Sequence, residues 1–134
     1  MTPDIAEKIL EENFADWVKA LDLSVLEISP ENALIRMPLG DHLARVGGIV
    51  SGQALAALAD TSMVLATIAH AGIFKPFATT DLHTQFLRPG VGTAILCKAE
   101  VVKAGRALVF ARAEMTEEDS GKAIATATAT FYSA

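Results

Sequence analysis

Residues 51–71, Ser-Gly-Gln-Ala-Leu-Ala-Ala-Leu-Ala-Asp-Thr-Ser-Met-Val-Leu-Ala-Thr-Ile-Ala-His-Ala, constrain the fold more than any other stretch of this chain. The run predicts one long helix, with Ser51 at its start and Gly72 as its C-cap. Apolar residues occupy almost every side of it, and such a helix must be covered on most sides. One residue stands out. A carboxylate at Asp60, among so many Ala and Leu residues, loses hydration unless a specific partner answers it. A group placed in that way is a candidate for chemistry.

The flanking segments supply the cover. Residues 1–20 predict an N-terminal surface helix, with Thr2 as N-cap, Pro3 at the first helical position and one apolar face through Ile5, Ile9, Phe14, Trp17 and Val18. Residues 22–29 and 32–38 predict two strands joined by a turn at Ser29-Pro-Glu-Asn32. Beyond Lys75-Pro76 the pattern turns to period two, and 77–87, 92–103, 106–117 and 122–133 all predict long strands. Consecutive strands with short connections predict an antiparallel sheet. The expected class is α+β, a single domain spanning 1–134 in which one sheet wraps around the helix at 51–71.

Composition narrows the function. A chain of 134 residues suits one domain with an ordinary core. The formal net charge of −5, with no basic run, argues against a nucleic-acid partner. The polar residues Asp60, Thr61, Ser62 and Thr67 interrupt the longest apolar stretch, so no membrane span is expected. The N-terminus lacks the basic and apolar regions of a targeting peptide, and a cytoplasmic protein is expected. The single Cys97 forms no internal disulfide and reads as a small buried thiol in a strand.

Few residues are left to carry chemistry. Gln53, Asp60 and Thr67 recur at seven-residue spacing and predict a polar stripe along the helix. That stripe is either a solvated or subunit-facing edge, or a cleft wall with Asp60 as general base or nucleophile. Ser51 reads as a plain N-cap, and Asp60 lies too far along the helix to activate it as a nucleophile. The free N–H groups at Ser51-Gly52 could polarise a carbonyl. On the strand at 77–87, alternation sets Thr79, Asp81, His83 and Gln85 on one face, either a site or a solvent face. His42, His70 and His83 have no ligand-type spacing, so no metal site is expected. No phosphate-binding glycine loop is present either.

Taken in order, several segments resemble the hotdog-fold acyl-CoA thioesterases, in particular the PaaI-like branch. These are Gly47, Ser51-Gly-Gln-Ala-Leu-Ala-Ala-Leu-Ala-Asp60, Thr79-Thr-Asp-Leu82, Phe86-Leu-Arg-Pro89, Val101-Val-Lys-Ala-Gly-Arg106 and Ala125-Thr-Ala-Thr-Ala-Thr-Phe131. The resemblance implies a hotdog fold, a homodimer or homotetramer with sites between subunits, and an acyl-CoA substrate with no further cofactor. It implies Asp60 as the carboxylate that activates water or attacks the thioester, and Gly52 as the backbone donor to its carbonyl. It also implies Thr79 as a site residue from the other subunit, and Arg88, Lys103 and Arg106 as contacts to the CoA nucleotide. Departures fall at Ser51, where the family usually has His, at Arg45, where relatives often have Asn, and at Gln53 in place of a second Gly. Ser51, Gln53 and Arg45 can still bind substrate through hydrogen bonds and charge. A small, aromatic or medium-chain acyl-CoA thioesterase is the expected function, and the alternative is a non-catalytic acyl-ligand binding protein on the same fold.

Overall fold

The computed structural model describes residues 1–133. Helices α1 (Pro3–Asn13) and α2 (Asp16–Lys19) lead into strands β1 (Ser24–Ile28) and β2 (Ala33–Pro38). A loop carrying one 3₁₀ turn at Asp41–Leu43 reaches α3 (Gly52–Ala71), and β3 (Ala78–Phe86), β4 (Ala94–Ala104), β5 (Leu108–Glu117) and β6 (Ala123–Tyr132) complete the chain. The six strands form one antiparallel sheet in the order β1-β2-β4-β5-β6-β3. The sheet wraps around α3, as the sequence predicts.

Small residues let the helix sit close to the sheet. Ala99, Ala111, Ala113, Ala125, Ala127 and Ala129 line its buried face, while Ile35, Met37, Met115 and Phe131 supply bulk. On β6 the exposed and half-exposed positions Thr126, Thr128 and Thr130 alternate with buried Ala125, Ala127, Ala129 and Phe131. That period of two is what a sheet with one covered face requires. From α3, Leu58, Met63, Leu65 and Ile68 are all but fully buried. At about 1.5–3 kcal/mol for each large apolar side chain removed from water, these four contribute roughly 6–12 kcal/mol. Such a sum is comparable with the net stability of a whole domain.

The ends of α3 are fixed locally. Ser51 adopts an extended conformation and its hydroxyl accepts from the Ala54 N–H at 3.2 Å. Gly72, at φ 80°, ends the helix in the left-handed region and returns its N–H to the carbonyls of Ile68 and Ala69. By length and composition alone α3 is long and apolar enough to cross a membrane, a test that a buried core helix also passes. In this fold 72% of that stretch is buried inside the protein.

Three further expectations change. The N-terminal helix is broken: α1 ends at Asn13, Phe14 and Ala15 are extended, and α2 restarts at Asp16. The break turns Trp17 off the apolar face of α1 and leaves it 63% exposed. Thr67 leaves the open stripe. It is 1% exposed, and the accessible line along α3 runs instead through Gln53, Ala56, Asp60 and Val64. Projection does not account for this: at about 100° per residue Thr67 falls between Ala56 and Asp60, so its burial reflects cover over the last turns of α3, where residues 65–69 are all buried. The third change is on β3. A bulge between Thr79 and Asp81 places Thr79 opposite buried Phe131, on the face shared with Leu82, Thr84 and Phe86. Thr79 therefore parts company with Asp81, His83 and Gln85, because an inserted residue reverses the alternation beyond it.

Gly90 offers a direct check of this packing. A Cβ there would lie 2.6 Å from Cγ1 of buried Val50 and 3.3 Å from Cγ2 of Ile124. Gly90→Ala is expected to cost about 1–3 kcal/mol in chemical denaturation, whereas an unchanged midpoint would show that the Val50 contact is looser than described.

Candidate active site

The polar interaction that stands out on α3 is at Asp60. The Thr79 hydroxyl donates to Asp60 Oδ1 at 2.8 Å. The residue is half-buried, with alanines and leucines on either side of it in the helix. Loss of hydration pushes its carboxyl pKa above the ordinary carboxylate value, and the Thr79 hydrogen bond pulls in the opposite direction. Both partners belong to one chain, so Thr79 shares its subunit with the Asp60 that it contacts. The bulge on β3 makes this contact possible by turning Thr79 toward the helix.

A second feature lies at the N-terminus of α3. Ser51 acts as the N-cap and engages the Ala54 N–H, while Leu55 N–H bonds to the Ser51 carbonyl. The N–H groups of Gly52 and Gln53 have no acceptor among the described residues. Unpaired donors at a helix start, aided by the helix dipole, suit a carbonyl oxygen that gains negative charge. Gly52 also has a steric role: the Phe86 ring covers it, and a Cβ there would lie 3.2 Å from Phe86 Cζ. Arg45, Arg88, Leu55 and Leu87 join Gly52 and Phe86 around a groove of about 360 Å³. The Arg45 guanidinium donates to the Val46 carbonyl at 2.9 Å, which holds it at the loop. Gln53 is exposed on the other side of the first turn, beside His42 and Trp17.

The remaining cations lie elsewhere. Lys103 and Arg106 are exposed at the β4–β5 hairpin. That hairpin adjoins the end of the sheet where Leu108 pairs with Tyr132 and Tyr132 with Ala78. Phe86 pairs with Ala125 at the opposite end. At about 3.3 Å per residue these ends are roughly 25 Å apart. Gly52 and Asp60 are also separated, by about 12 Å along the helix axis at ~1.5 Å per residue. Within one chain, then, Asp60 and Thr79 come together, Gly52 comes together with Arg45 and Arg88, and Lys103 and Arg106 join neither group.

Sequence reasoning missed Phe86 as the lid on Gly52 and His42 as a neighbour of Gln53. The approach of both depends on distant segments meeting, and no local pattern signals it. Cys97 is buried, and burial pushes its thiol up to about 12, although the nearby Ser62 hydroxyl works the other way. Such a thiol is no nucleophile. A larger hollow, about 500 Å³, lies on the outer face of the sheet among Lys98, Glu100, Arg112 and Glu114. The sheet separates it from Asp60, and Arg112 is already paired with Glu100, so it is set aside as the reaction site. Among the described residues no three His, Cys, Asp or Glu side chains cluster to hold a metal ion.

Known proteins share this arrangement of elements. A conserved protein of Pseudomonas aeruginosa superposes with a TM-score of 0.83 at 27% identity, over 91% of this chain and 96% of that one. Zebrafish thioesterase superfamily member 2 gives 0.84 at 25% identity, over 97% and 94%. The phenylacetic acid degradation protein PaaI of Thermus thermophilus gives 0.78 at 26% identity, over 90% and 100%. In sequence, a candidate esterase of Thermoplasma acidophilum is 26% identical over 95 residues, 70% of each chain. The family model of the acyl-CoA thioesterase N-terminal domain matches residues 41–132, which include α3 and the four strands after it. With its sheet wrapped around one helix, the chain belongs to that family of hotdog-fold thioesterases.

Proposed function

We propose that the protein is an acyl-CoA thioesterase acting on small, aromatic or medium-chain acyl groups, with Asp60 as its essential carboxylate. The observation that carries this reading is the half-buried Asp60 held by Thr79 on the accessible stripe of α3. In the base form of the mechanism, the Asp60 carboxylate takes a proton from water as the water oxygen bonds to the thioester carbonyl carbon. The carbonyl oxygen becomes an oxyanion, which the Gly52 N–H stabilises. As the tetrahedral intermediate collapses the C–S bond breaks, the CoA sulfur leaves with the bonding pair and the proton returns to it. The products are a carboxylic acid and the CoA thiol. In the alternative form Asp60 attacks the carbonyl itself and expels the CoA thiolate. Water then cleaves the resulting anhydride into the acid and free Asp60, and the proton released goes to the thiolate.

One chain cannot deliver both groups to one carbonyl, because Asp60 and Gly52 lie on the same helix two turns apart. A second copy resolves this. Strand β3 forms the edge of the sheet, so its outer side is open to pairing. Antiparallel pairing of β3 with β3 brings the Thr79 end of one strand beside the Phe86 end of the second copy's strand. Since Thr79 touches Asp60 and Phe86 covers Gly52, each carboxylate then approaches the other copy's helix start. Under the same two-fold arrangement Lys103 and Arg106 approach the end that carries Arg88, and the three cations together suit the CoA phosphates. The homodimer, alone or paired into a homotetramer, is thus the active unit in this reading, in the cytoplasm and with no cofactor beyond the CoA of the substrate.

A second reading is a non-catalytic acyl-CoA binding protein. It is favoured by Ser51, whose hydroxyl accepts the capping bond from Ala54 at the position of the family's usual His. Calorimetry that detects binding of acyl-CoA without turnover would establish it, and steady turnover would exclude it.

Three outcomes are expected. The purified protein hydrolyses at least one member of an acyl-CoA panel, and Asp60→Asn lowers kcat by about a hundredfold or more; an inert wild type, or an active Asp60→Asn, would sink the proposal. Thr79→Ala removes the bond that favours the ionised carboxylate, so the acid limb of kcat/KM moves to higher pH, while Thr79→Ser leaves it in place. A limb that does not move in Thr79→Ala would deny Asp60 the role of titrating group. The third outcome concerns stability. Burial raises the Asp60 pKa, so its contribution to stability is fullest when the carboxyl is protonated and declines as pH rises through the folded value. Asp60→Asn should therefore melt higher than wild type near about pH 7, with the gap narrowing toward about pH 4. A lower melting temperature at neutral pH would contradict the direction of that shift.

A further inference from the structure

Trp17 has no role in the core. It is the chain's one tryptophan, it is 63% exposed, and the four-residue helix α2 holds it away from the apolar face of α1. An indole left in water forgoes much of the 150–250 Å² of area that aromatic side chains usually bury. Beside it lies a cup of about 240 Å³. Trp17, Leu21, His42 and Leu43 form its walls, and Gln53 and Ala54 belong to its floor.

That floor is the first turn of α3. Gly52, the donor to the thioester oxygen in the reading above, sits between Ser51 and Gln53, both of which line the cup. The acyl group is bonded to the same carbonyl carbon, so it must leave the Gly52 N–H within one bond length and enter a space that adjoins this turn. Two spaces do. The groove along Gly52 carries the guanidinium groups of Arg45 and Arg88, which suit the anionic end of CoA. The cup carries no Lys, Arg, Asp or Glu. Burying a hydrocarbon there leaves no charge unpaired.

Resting on the thioesterase reading for the position of the carbonyl, we propose that this cup receives the acyl group, and that Trp17 determines which acyl groups fit. An apolar cavity of about 150 Å³ accommodates a benzene ring. The cup therefore has room for one ring with a short linker, or an aliphatic chain of similar bulk, and lacks the room for a long fatty acyl chain. The two flat side chains, Trp17 and His42, favour an aromatic ring that can lie against them. Acyl-CoAs with a single aromatic ring form the preferred class.

Trp17 reports on its own occupancy, because no other tryptophan contributes to the emission. The test titrates Asp60→Asn with benzoyl-CoA, hexanoyl-CoA, palmitoyl-CoA and CoA alone, following tryptophan fluorescence, and compares the turnover of wild type, Trp17→Phe and Trp17→Ala. The expected result is a saturable emission change with benzoyl-CoA that CoA alone does not produce. Trp17→Ala should lower the ratio of kcat/KM for benzoyl-CoA over acetyl-CoA by about tenfold, and Trp17→Phe should restore most of it. Emission that is silent to every acyl-CoA, an unchanged ratio in Trp17→Ala, or a preference for palmitoyl-CoA would overturn the proposal. A silent Trp17 in an enzyme that does hydrolyse acyl-CoA removes the cup and leaves the thioesterase reading standing. Emission that responds to benzoyl-CoA in a protein without turnover removes the thioesterase reading and leaves the cup.

Discussion

Everything in this molecule depends on burying α3 against the alanine-rich face of the sheet. The large side chains of the helix contribute an apolar burial comparable with the net stability of a domain, and the small sheet residues set how closely the two layers approach. Packing of that strength can hold an unfavourable group in place. Asp60 is such a group: its carboxyl is partly desolvated, and a single hydroxyl answers it. Local cost of this kind is expected where function, and not stability, selected the residue.

The same packing explains the separation of the two polar features. A helix covered on most sides exposes one narrow line, here through Gln53, Ala56, Asp60 and Val64. The donors at the helix start and the carboxylate in its middle lie on that line two turns apart, too far to share one atom. Edge strand β3 connects to both, through Thr79 at one end and Phe86 at the other. In the proposed function, a second copy related by two-fold symmetry is what brings the two features to one carbonyl.

The sequence made the architecture legible because its signals are periodic. Alternation from Ala123 to Phe131 and the apolar run after Ser51 each allow one assignment, and the strand limits are met within two residues. Asp60 was legible as an anomaly, a carboxylate in an apolar run, although its stripe read equally as a solvated or subunit-facing edge. Positions that depend on a local break in the period were not legible. The bulge at Thr80 reverses the faces of β3, and with one residue it moves Thr79 from the outward set to the side of Asp60. The break at Phe14-Ala15 likewise turns Trp17 outward, although here the spacing did carry a signal. At about 100° per residue Phe14, Trp17 and Val18 fall away from the side of Ile5 and Ile9, which one continuous helix does not explain. Thr67 fails for a third reason: it keeps its angle beside Asp60, but the last turns of α3 are covered where the middle is not, and spacing along one helix cannot show that. Period identifies the elements; bulges and breaks decide which side chains reach the site.

The central claim is that Asp60 of one copy works with the Gly52 N–H of another, and subunit complementation tests it most directly. Gly52→Pro removes that N–H at a position where proline suits the backbone of the first helical residue, although its ring requires Phe86 to shift, and Ser51 already has the extended conformation, ψ 149°, that a residue before proline prefers. Gly52→Pro and Asp60→Asn are each expected to be inactive. Refolded together in equal amounts they should recover about a quarter of the wild-type activity, because half of the dimers are mixed and each mixed dimer holds one intact site. A mixture as inactive as its parents, although exchange of subunits is demonstrated, would contradict the shared site.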